Sequence, residues 1–124
     1  MAELINLKSI NDNRGKMIVA QDEIPFAIKR IFFIYEATAM RGEHRHKKNQ
    51  MAFIAQQGEV SGFCQNSKTE KNYILDDPGK CLLVNPEDWH SMKFSKDAIL
   101  LVLSSEVYDP ADYIVEKYKW LSMK

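Results

Sequence analysis

The feature that most limits how this chain can fold is its division into short extended segments separated by turn-forming residues. About nine such segments, rich in branched and aromatic side chains, occur within roughly a hundred residues. The phrases between them, such as NDNRG at 11–15 and DDPGK at 76–80, are typical of turns. No internal repeat or linker interrupts the series. The pattern predicts one mainly β domain over residues 1–124, of the sandwich or barrel type.

The segment IKRIFFIYEA at 28–37 carries large apolar residues at successive positions. On a strand, Phe32 and Ile34 would point one way, and Phe33 and Tyr35 the other. A strand that is apolar on both faces is typically covered on both faces. The sequence therefore predicts that this segment is a central strand.

The end of the chain has the pattern of a helix. Asp109 is a suitable N-cap and Pro110 suits the first helical position. Tyr113, Tyr118 and Leu121 then form part of an apolar stripe at helical spacing. We expect a short C-terminal helix that packs against the sheet or against a second subunit.

Charge and composition exclude several classes of function. Lysine plus arginine and aspartate plus glutamate number 17 each, so the chain has no overall attraction for nucleic acid or for a membrane surface. No stretch approaches the roughly 20 apolar residues that a membrane span requires. Cys64 and Cys81 stand in no metal-binding or redox spacing, and we expect both to be reduced. These features favour a cytoplasmic protein.

Two of the three histidines lie in the phrase RGEHRHKK at 41–48. On a strand, residues two apart share a face, so Gly42, His44 and His46 would point together. The third histidine, His90, lies in the phrase NPEDWHSM. Two interpretations stay open: an exposed edge strand with solvated side chains, or a chemical site in the mouth of a barrel.

If the paired histidines form a site, they could bind a metal or transfer protons. A metal site would use His44, His46 and His90, since imidazoles suit several transition metals. Gln50, however, stands four residues after His46, where a carboxylate ligand would be expected. Proton transfer at neutral pH also suits histidine. The basic residues beside the pair, Arg41 among them, would hold an anion and favour a phosphorylated substrate.

The ordered phrases of the chain resemble a known family. RGEHRHKK is preceded by IKRIFFIY and followed by NPEDWHSM and YDPADYI, with DNRG and IPFAIKR nearer the start. This set is similar to the cupin-type nucleotide-sugar 3,4-ketoisomerases. The resemblance implies a double-stranded β-helix (jelly-roll barrel), a homodimer and a dTDP-4-oxo-6-deoxyglucose substrate. It further implies that the ketone moves from C4 to C3 without metal or cofactor, in deoxyamino sugar synthesis for surface polysaccharide.

The resemblance also assigns site residues. It implies that His46 is the catalytic base and that His44 is the partner that relays or donates protons. Arg41 and Arg14 resemble residues that hold the diphosphate. The further substrate contacts that it implies are Tyr35, Gln50 and His90, with His90 at the rim of the site rather than as a catalyst.

The sequence departs from the family at positions that bear on function. Arg45 separates the two histidines where many relatives have a small residue, and Phe32 and Phe33 replace tyrosines, which leaves Tyr35 as the phenol of that strand. Three alternatives stay open: a sugar-nucleotide-binding cupin without turnover, a 3,5-epimerase, and a metal-dependent cupin. The configuration of the product at C4 and the identity of the nucleotide are also left open.

Overall fold

The computed structural model describes residues 1–119, and strands dominate this part of the chain. The strands are β1 (Glu3–Asn6), β2 (Lys8–Asp12), β3 (Gly15–Val19), β4 (Arg30–Tyr35), β5 (Arg41–His46), β6 (Met51–Gln57), β7 (Val60–Gln65), β8 (Glu70–Leu75), β9 (Lys80–Val84), β10 (Trp89–Phe94), β11 (Ile99–Ser104) and β12 (Tyr113–Ile114). One 3₁₀ helix covers Pro110–Asp112. Among residues 1–119, no helix is long and apolar enough to cross a membrane.

Ten of these strands form two five-stranded antiparallel sheets. The first sheet has the order β1-β9-β6-β11-β4, and the second has the order β12-β5-β10-β7-β8. Because neighbours within a sheet are seldom consecutive in sequence, the chain crosses repeatedly from one sheet to the other. This arrangement is the jelly-roll barrel that the family resemblance implies, and the mainly β fold class is confirmed.

The main core lies between the two sheets. Phe53 and Leu100 from the first sheet and Val60 and Leu75 from the second are at most 2% exposed. Along each strand, the side chains at every second position point inward, as the two-residue period of a β-strand requires. A second apolar cluster covers part of the outer face of the first sheet, where Ile24 packs against residues of β6, β9 and β11.

Strand β4 does not occupy the central position that the sequence predicts. Among the described strands, it is the last one of its sheet and pairs only with β11. Its inner residues are partly buried, whereas Ile31, Phe33 and Tyr35 on the outer face are 57%, 55% and 64% exposed. The prediction was wrong because apolar residues on both faces indicate two-sided burial only when another part of the same chain covers the second face.

The predicted C-terminal helix is a single 3₁₀ turn. Asp109 caps this turn by accepting a hydrogen bond from the amide of Ala111, and Pro110 begins it, as expected. The helix ends at Asp112, because Tyr113 and the next residue instead pair as β12 with β5. The end of the predicted stripe, Leu121, lies outside the described residues.

The hairpin of β2 and β3 stands apart from both five-stranded sheets, since within residues 1–119 these two strands pair only with each other. At its turn, the Arg14 guanidinium lies 2.7 Å from the Asp12 carboxylate. Both Ile10 and Met17 on the hairpin are exposed. The ribbon therefore presents apolar side chains that no described residue of the chain covers fully.

Candidate active site

A cavity of about 210 Å³ lies inside the barrel, between β4, β6 and β11 on one side and β5, β10 and β12 on the other. The apolar part of its wall consists of Phe32, Ile34, Met51, Phe53, Met92 and Val102. The polar part consists of Arg30, Arg41, His44, His90 and Tyr113, together with the backbone of Gly42. Among these lining residues there is no carboxylate. The cavity is therefore a partly apolar chamber with a positive charge balance.

A β-bulge in β5 shapes this wall. Opposite β10, His44 pairs with His90 and Gly42 pairs with Ser91, so Glu43 has no partner of its own. Gly42 and Glu43 have φ values of +89° and +63°, which only glycine adopts without strain. A Cβ on Gly42 would lie 2.9 Å from the His90 carbonyl oxygen. The bulge shifts the alternation of the strand by one residue, which brings Arg41 and His44 to the same cavity.

The three histidines of the chain form one cluster. The ring centroid of His44 lies 4.9 Å from that of His46 and 4.9 Å from that of His90. One nitrogen atom from each of the three rings lies within 4.8 Å of the corresponding nitrogen atoms of the other two. His46 and His90 are only 3% and 2% exposed. The cluster offers three nitrogen ligands that could hold a metal ion.

Each histidine makes a hydrogen bond through Nδ1. His44 Nδ1 lies 2.9 Å from the Gly42 carbonyl oxygen, and His90 Nδ1 lies 3.2 Å from the Asp88 carbonyl oxygen. His46 Nδ1 lies 2.9 Å from Oδ2 of Asp112. Because these oxygens can only accept, each Nδ1 carries the hydrogen and donates it. In the neutral rings, every Nε2 is then an acceptor with a free lone pair.

Burial keeps these rings uncharged at neutral pH. Burial, reinforced by His44, lowers the pKa of His46 to about 4 in spite of the Asp112 carboxylate beside it. Burial and the neighbouring His44 lower the pKa of His90 to about 3. Burial also lowers the pKa of His44, against the effect of the Gly42 carbonyl. The rings can therefore accept protons from a bound molecule.

Asp112 is a site residue that the sequence analysis missed. Its carboxylate accepts hydrogen bonds from the amides of Lys48 (2.7 Å) and Asn49 (3.2 Å) as well as from His46. Burial alone would raise the pKa of Asp112, but these hydrogen bonds outweigh burial and lower it. It stands 66 residues after His46, so no local pattern links the two.

Arg30 and Tyr113 are further cavity residues that sequence reasoning did not identify. The Tyr113 ring packs against both His44 and His46, at centroid distances of 4.7 and 4.6 Å. Arg30 shares the inner face of β4 with Phe32, so the two-residue period of that strand was the signal that could have placed it in the site.

The structure brings together four of the residues assigned from sequence: Arg41, His44, His46 and His90. The other three lie outside the cavity. Arg14 is on the exposed β2–β3 turn, and Tyr35 points out from the opposite face of β4. Gln50 lines a separate groove of about 450 Å³, where its side chain donates to Asn85 Oδ1.

Comparison with known proteins identifies relatives over nearly the whole chain. Residues 1–124 match the family described as FdtA: WxcM-like, C-terminal. The chain is 35% identical over 117 residues to the TDP-4-oxo-6-deoxy-alpha-D-glucose-3,4-oxoisomerase of Aneurinibacillus thermoaerophilus, a match that covers 90% of this chain and 84% of that protein.

Two solved structures from Campylobacter jejuni are also similar. The TDP-quinovose 3,4-ketoisomerase WlaRB has a TM-score of 0.89 at 34% identity, with 98% of this chain and 97% of that chain covered. The TDP-fucose-3,4-ketoisomerase WlaRA has a TM-score of 0.86 at 35% identity, with 96% and 91% covered. These two relatives are named for different TDP sugars, and the chain is about equally similar to both. Overall similarity therefore does not select one product configuration.

Proposed function

This chain belongs to the FdtA (WxcM-like, C-terminal) family, and we propose that it is a TDP-4-oxo-6-deoxyglucose 3,4-ketoisomerase. The observation that carries this proposal is the set of three neutral imidazoles beside a positively charged cavity that lacks carboxylates. A sugar diphosphate and an anionic intermediate both suit such a cavity. The names of the relatives supply the substrate class, and the absence of a membrane-crossing helix among the described residues is compatible with action in the cytoplasm.

The reaction requires proton movements that balance within the sugar. A base removes the proton from C3, whose bonding electrons form the C3–C4 double bond while the C4 carbonyl becomes an oxyanion. The hydroxyl proton then moves from O3 to O4, and the protonated base, whose N–H hydrogen exchanges with solvent, delivers a proton to C4. The result is a ketone at C3 and a hydroxyl at C4. The protein needs one proton carrier, one hydroxyl relay and positive groups for the oxyanion.

The geometry supports His44 as the carrier of the carbon-bound proton, which reverses the roles expected from sequence. His44 lines the cavity and is half-buried, with Nδ1 engaged by Gly42 and Nε2 free. His46 is nearly inaccessible and its pKa falls to about 4, which makes it the weaker base. His46 stays next to His44, oriented by Asp112, and its buried Nε2 has no hydrogen-bond partner among the described residues. We assign it the hydroxyl relay, because a relay exchanges protons with oxygen atoms, directly or through a water molecule, and does not have to reach a sugar carbon.

One observation favours a second candidate, a metal-dependent cupin. Each Nε2 has a free lone pair, and each Nδ1 donates its hydrogen to an oxygen atom. Histidines that bind a metal commonly have this arrangement. Against it, two guanidinium groups line the same cavity and no carboxylate does. We therefore favour proton transfer by the imidazoles alone, with no metal and no redox cofactor.

We also propose that the chain forms a homodimer. Its first sheet ends in β4, an edge strand with an exposed outer face of Ile31, Phe33 and Tyr35. Contiguous apolar patches and open sheet edges of this kind are commonly covered by a partner. A second copy of the chain would bury both features at once.

Incubation with TDP-4-oxo-6-deoxyglucose in heavy water tests the proposed function. NMR should follow the appearance of a TDP-linked 3-oxo sugar with solvent deuterium at C4. Binding of the substrate without any exchange or product would instead favour the non-catalytic cupin. Epimerised product with deuterium at C5 would favour the 3,5-epimerase.

A further inference from the structure

We propose that Arg30 is a catalytic residue that holds the oxyanion of the reacting sugar, whereas Arg41 holds the diphosphate. This inference rests on the proposed isomerase function and deepens it. It assigns different roles to two guanidinium groups that line the same cavity but differ in their burial and in the residues around them. Arg41 is exposed at the mouth, and Arg30 is half-buried within the wall.

The fold places the Arg30 side chain inside the barrel. Arg30 begins β4, and the alternation of that strand puts it on the same inner face as Phe32 and Ile34. The Arg30 Cζ lies 5.1 Å from the centroid of the Phe32 ring and 5.7 Å from that of Tyr108. The guanidinium therefore makes cation–π contacts with two aromatic rings, one partly buried and one exposed, which favour its position at the cavity.

The guanidinium has hydrogen-bonding capacity that the described residues do not use. Arg30 Nε is buried and has no hydrogen-bond partner, and no ion pair to Arg30 is found within residues 1–119. By contrast, Arg14 pairs with Asp12, and Arg45 donates from Nε to the Glu116 carbonyl and stacks on Tyr118. A buried donor without a partner is costly. Since no described residue accepts a hydrogen bond from the other guanidinium nitrogens of Arg30 either, the part of Arg30 that lines the cavity is suited to an acceptor that arrives with the substrate.

The charge of Arg30 reaches the histidine cluster. It is one of the charges that lower the pKa of His46, after the larger effects of burial and His44. Among the described residues, no carboxylate lines the cavity to neutralise this charge. A fixed positive charge beside neutral imidazoles fits a reaction in which negative charge develops on a sugar oxygen while a ring nitrogen takes the C3 proton.

The chemistry then divides between the two arginines. The enolate formed at C3–C4 carries its charge first on O4 and, after the hydroxyl proton has moved, on O3. An N–H donor that is already in place stabilises this charge in the transition state more than it stabilises the neutral ketone. Loss of Arg30 should therefore lower kcat, whereas loss of Arg41 should mainly raise KM.

The test compares Arg30→Met and Arg30→Lys with wild type in the isomerase assay and in TDP titrations by calorimetry. Met keeps an unbranched side chain between the aromatic rings but removes the charge. We expect kcat to fall about 10²- to 10³-fold in Arg30→Met, as for removal of one oxyanion donor, and less in Arg30→Lys. TDP affinity should stay within a few fold in both. Lys71→Met is the matched control, because Lys71 is also a cation over an aromatic ring, Tyr73, but lies outside the cavity.

The outcomes separate this inference from the proposed function. If wild type does not isomerise the substrate, the proposed function fails, and the Arg30 role with it. If wild type is active and Arg30→Met has the kcat of the Lys71→Met control, only the Arg30 role is overturned. A loss of TDP affinity at unchanged kcat would place Arg30 on the diphosphate and would also overturn it. Should Arg30→Met not fold, Arg30→Ala takes its place in the same comparison, and free guanidinium ions should partly restore its kcat.

Discussion

The two faces of β4 are both apolar, yet they differ in what surrounds them. The inner face carries Phe32 and Ile34, which are partly buried against the barrel core and line the cavity. The outer face carries Phe33 and Tyr35, which are more than half exposed. Apolar side chains on the inner face form part of the cavity wall, and burial beside this wall lowers the pKa of the three histidines. Those on the outer face have no such function within one chain, which supports a role for them in association.

The largest expected effect concerns the cavity that the inner face of β4 lines, where His44 of β5 is proposed to carry the proton. His44→Asn should lower turnover about 10²- to 10⁴-fold, the usual contribution of a positioned acid–base group. TDP affinity should change little, because the phosphates are held elsewhere. His46→Asn should cause a smaller loss, since water can partly replace a relay. Steady-state kinetics with deuterium incorporation at C4 measures both, and a greater loss in His46→Asn would return the base role to His46.

The next effect concerns the support behind the histidines. Asp112→Asn keeps the shape of the side chain but loses a charged acceptor that now serves His46 and the amides of Lys48 and Asn49. Hydrogen bonds to charged groups contribute about 1.5 to 3 kcal/mol, so turnover should fall about 10- to 100-fold. The same kinetic assay tests this, together with the denaturation midpoint as a measure of stability. Turnover equal to wild type would mean that Asp112 supports only the local backbone.

The outer face of β4 is tested by its effect on assembly. Phe33→Lys should convert a dimer to a monomer, because a charged side chain would be buried without a partner at the proposed interface. Light scattering at micromolar concentration measures the mass of each species. Ile74→Lys is the control, since Ile74 is 41% exposed on β8 of the other sheet. A monomeric wild-type protein would contradict the proposal that this face forms a dimer interface.

The buried histidines also predict how stability depends on pH. The pKa of His46 is about 4 and that of His90 about 3 in the fold, against 6.5 for an unperturbed histidine. Below pH 6.5 the unfolded chain therefore binds more protons than the folded chain, and stability is lost as the pH falls. Between pH 7 and pH 5, the free energy of unfolding should drop by on the order of 1 to 2 kcal/mol for each of these two residues. Urea denaturation at both pH values measures this drop. The drop should be smaller in His90→Gln, and a wild-type protein that is equally stable at both pH values would contradict the prediction.

The smallest expected effect is that of metal removal. Treatment with a chelator should leave kcat unchanged, because the proposed mechanism uses only the imidazoles and guanidinium groups. Elemental analysis of the purified protein gives the accompanying measurement. The metal-dependent alternative would be established if the protein contained stoichiometric iron, zinc, nickel or manganese, lost its activity when a chelator removed that metal, and regained activity when the metal was added back.

Much of the architecture follows from local patterns in the sequence. The two-residue alternation of apolar residues and the turn phrases between segments are enough to predict a mainly β domain of the sandwich or barrel type, because these patterns depend only on neighbours along the chain. The same period correctly places His44 and His46 on one side of β5. The capping residues Asp109 and Pro110 also act as predicted, although the helix that they begin ends after one turn.

The tertiary structure alone decided which distant residues meet at the site. His90 reaches His44 because β10 pairs with β5, and Asp112 reaches His46 because the chain returns beside β5 after 66 residues. The bulge at Gly42 and Glu43, which turns Arg41 inward, likewise depends on the register with β10. Local periodicity carries no information about strand pairing or about what covers an outer face. These features are set by long-range packing, in which the cost of closing the chain is balanced by burial between segments that are far apart in sequence.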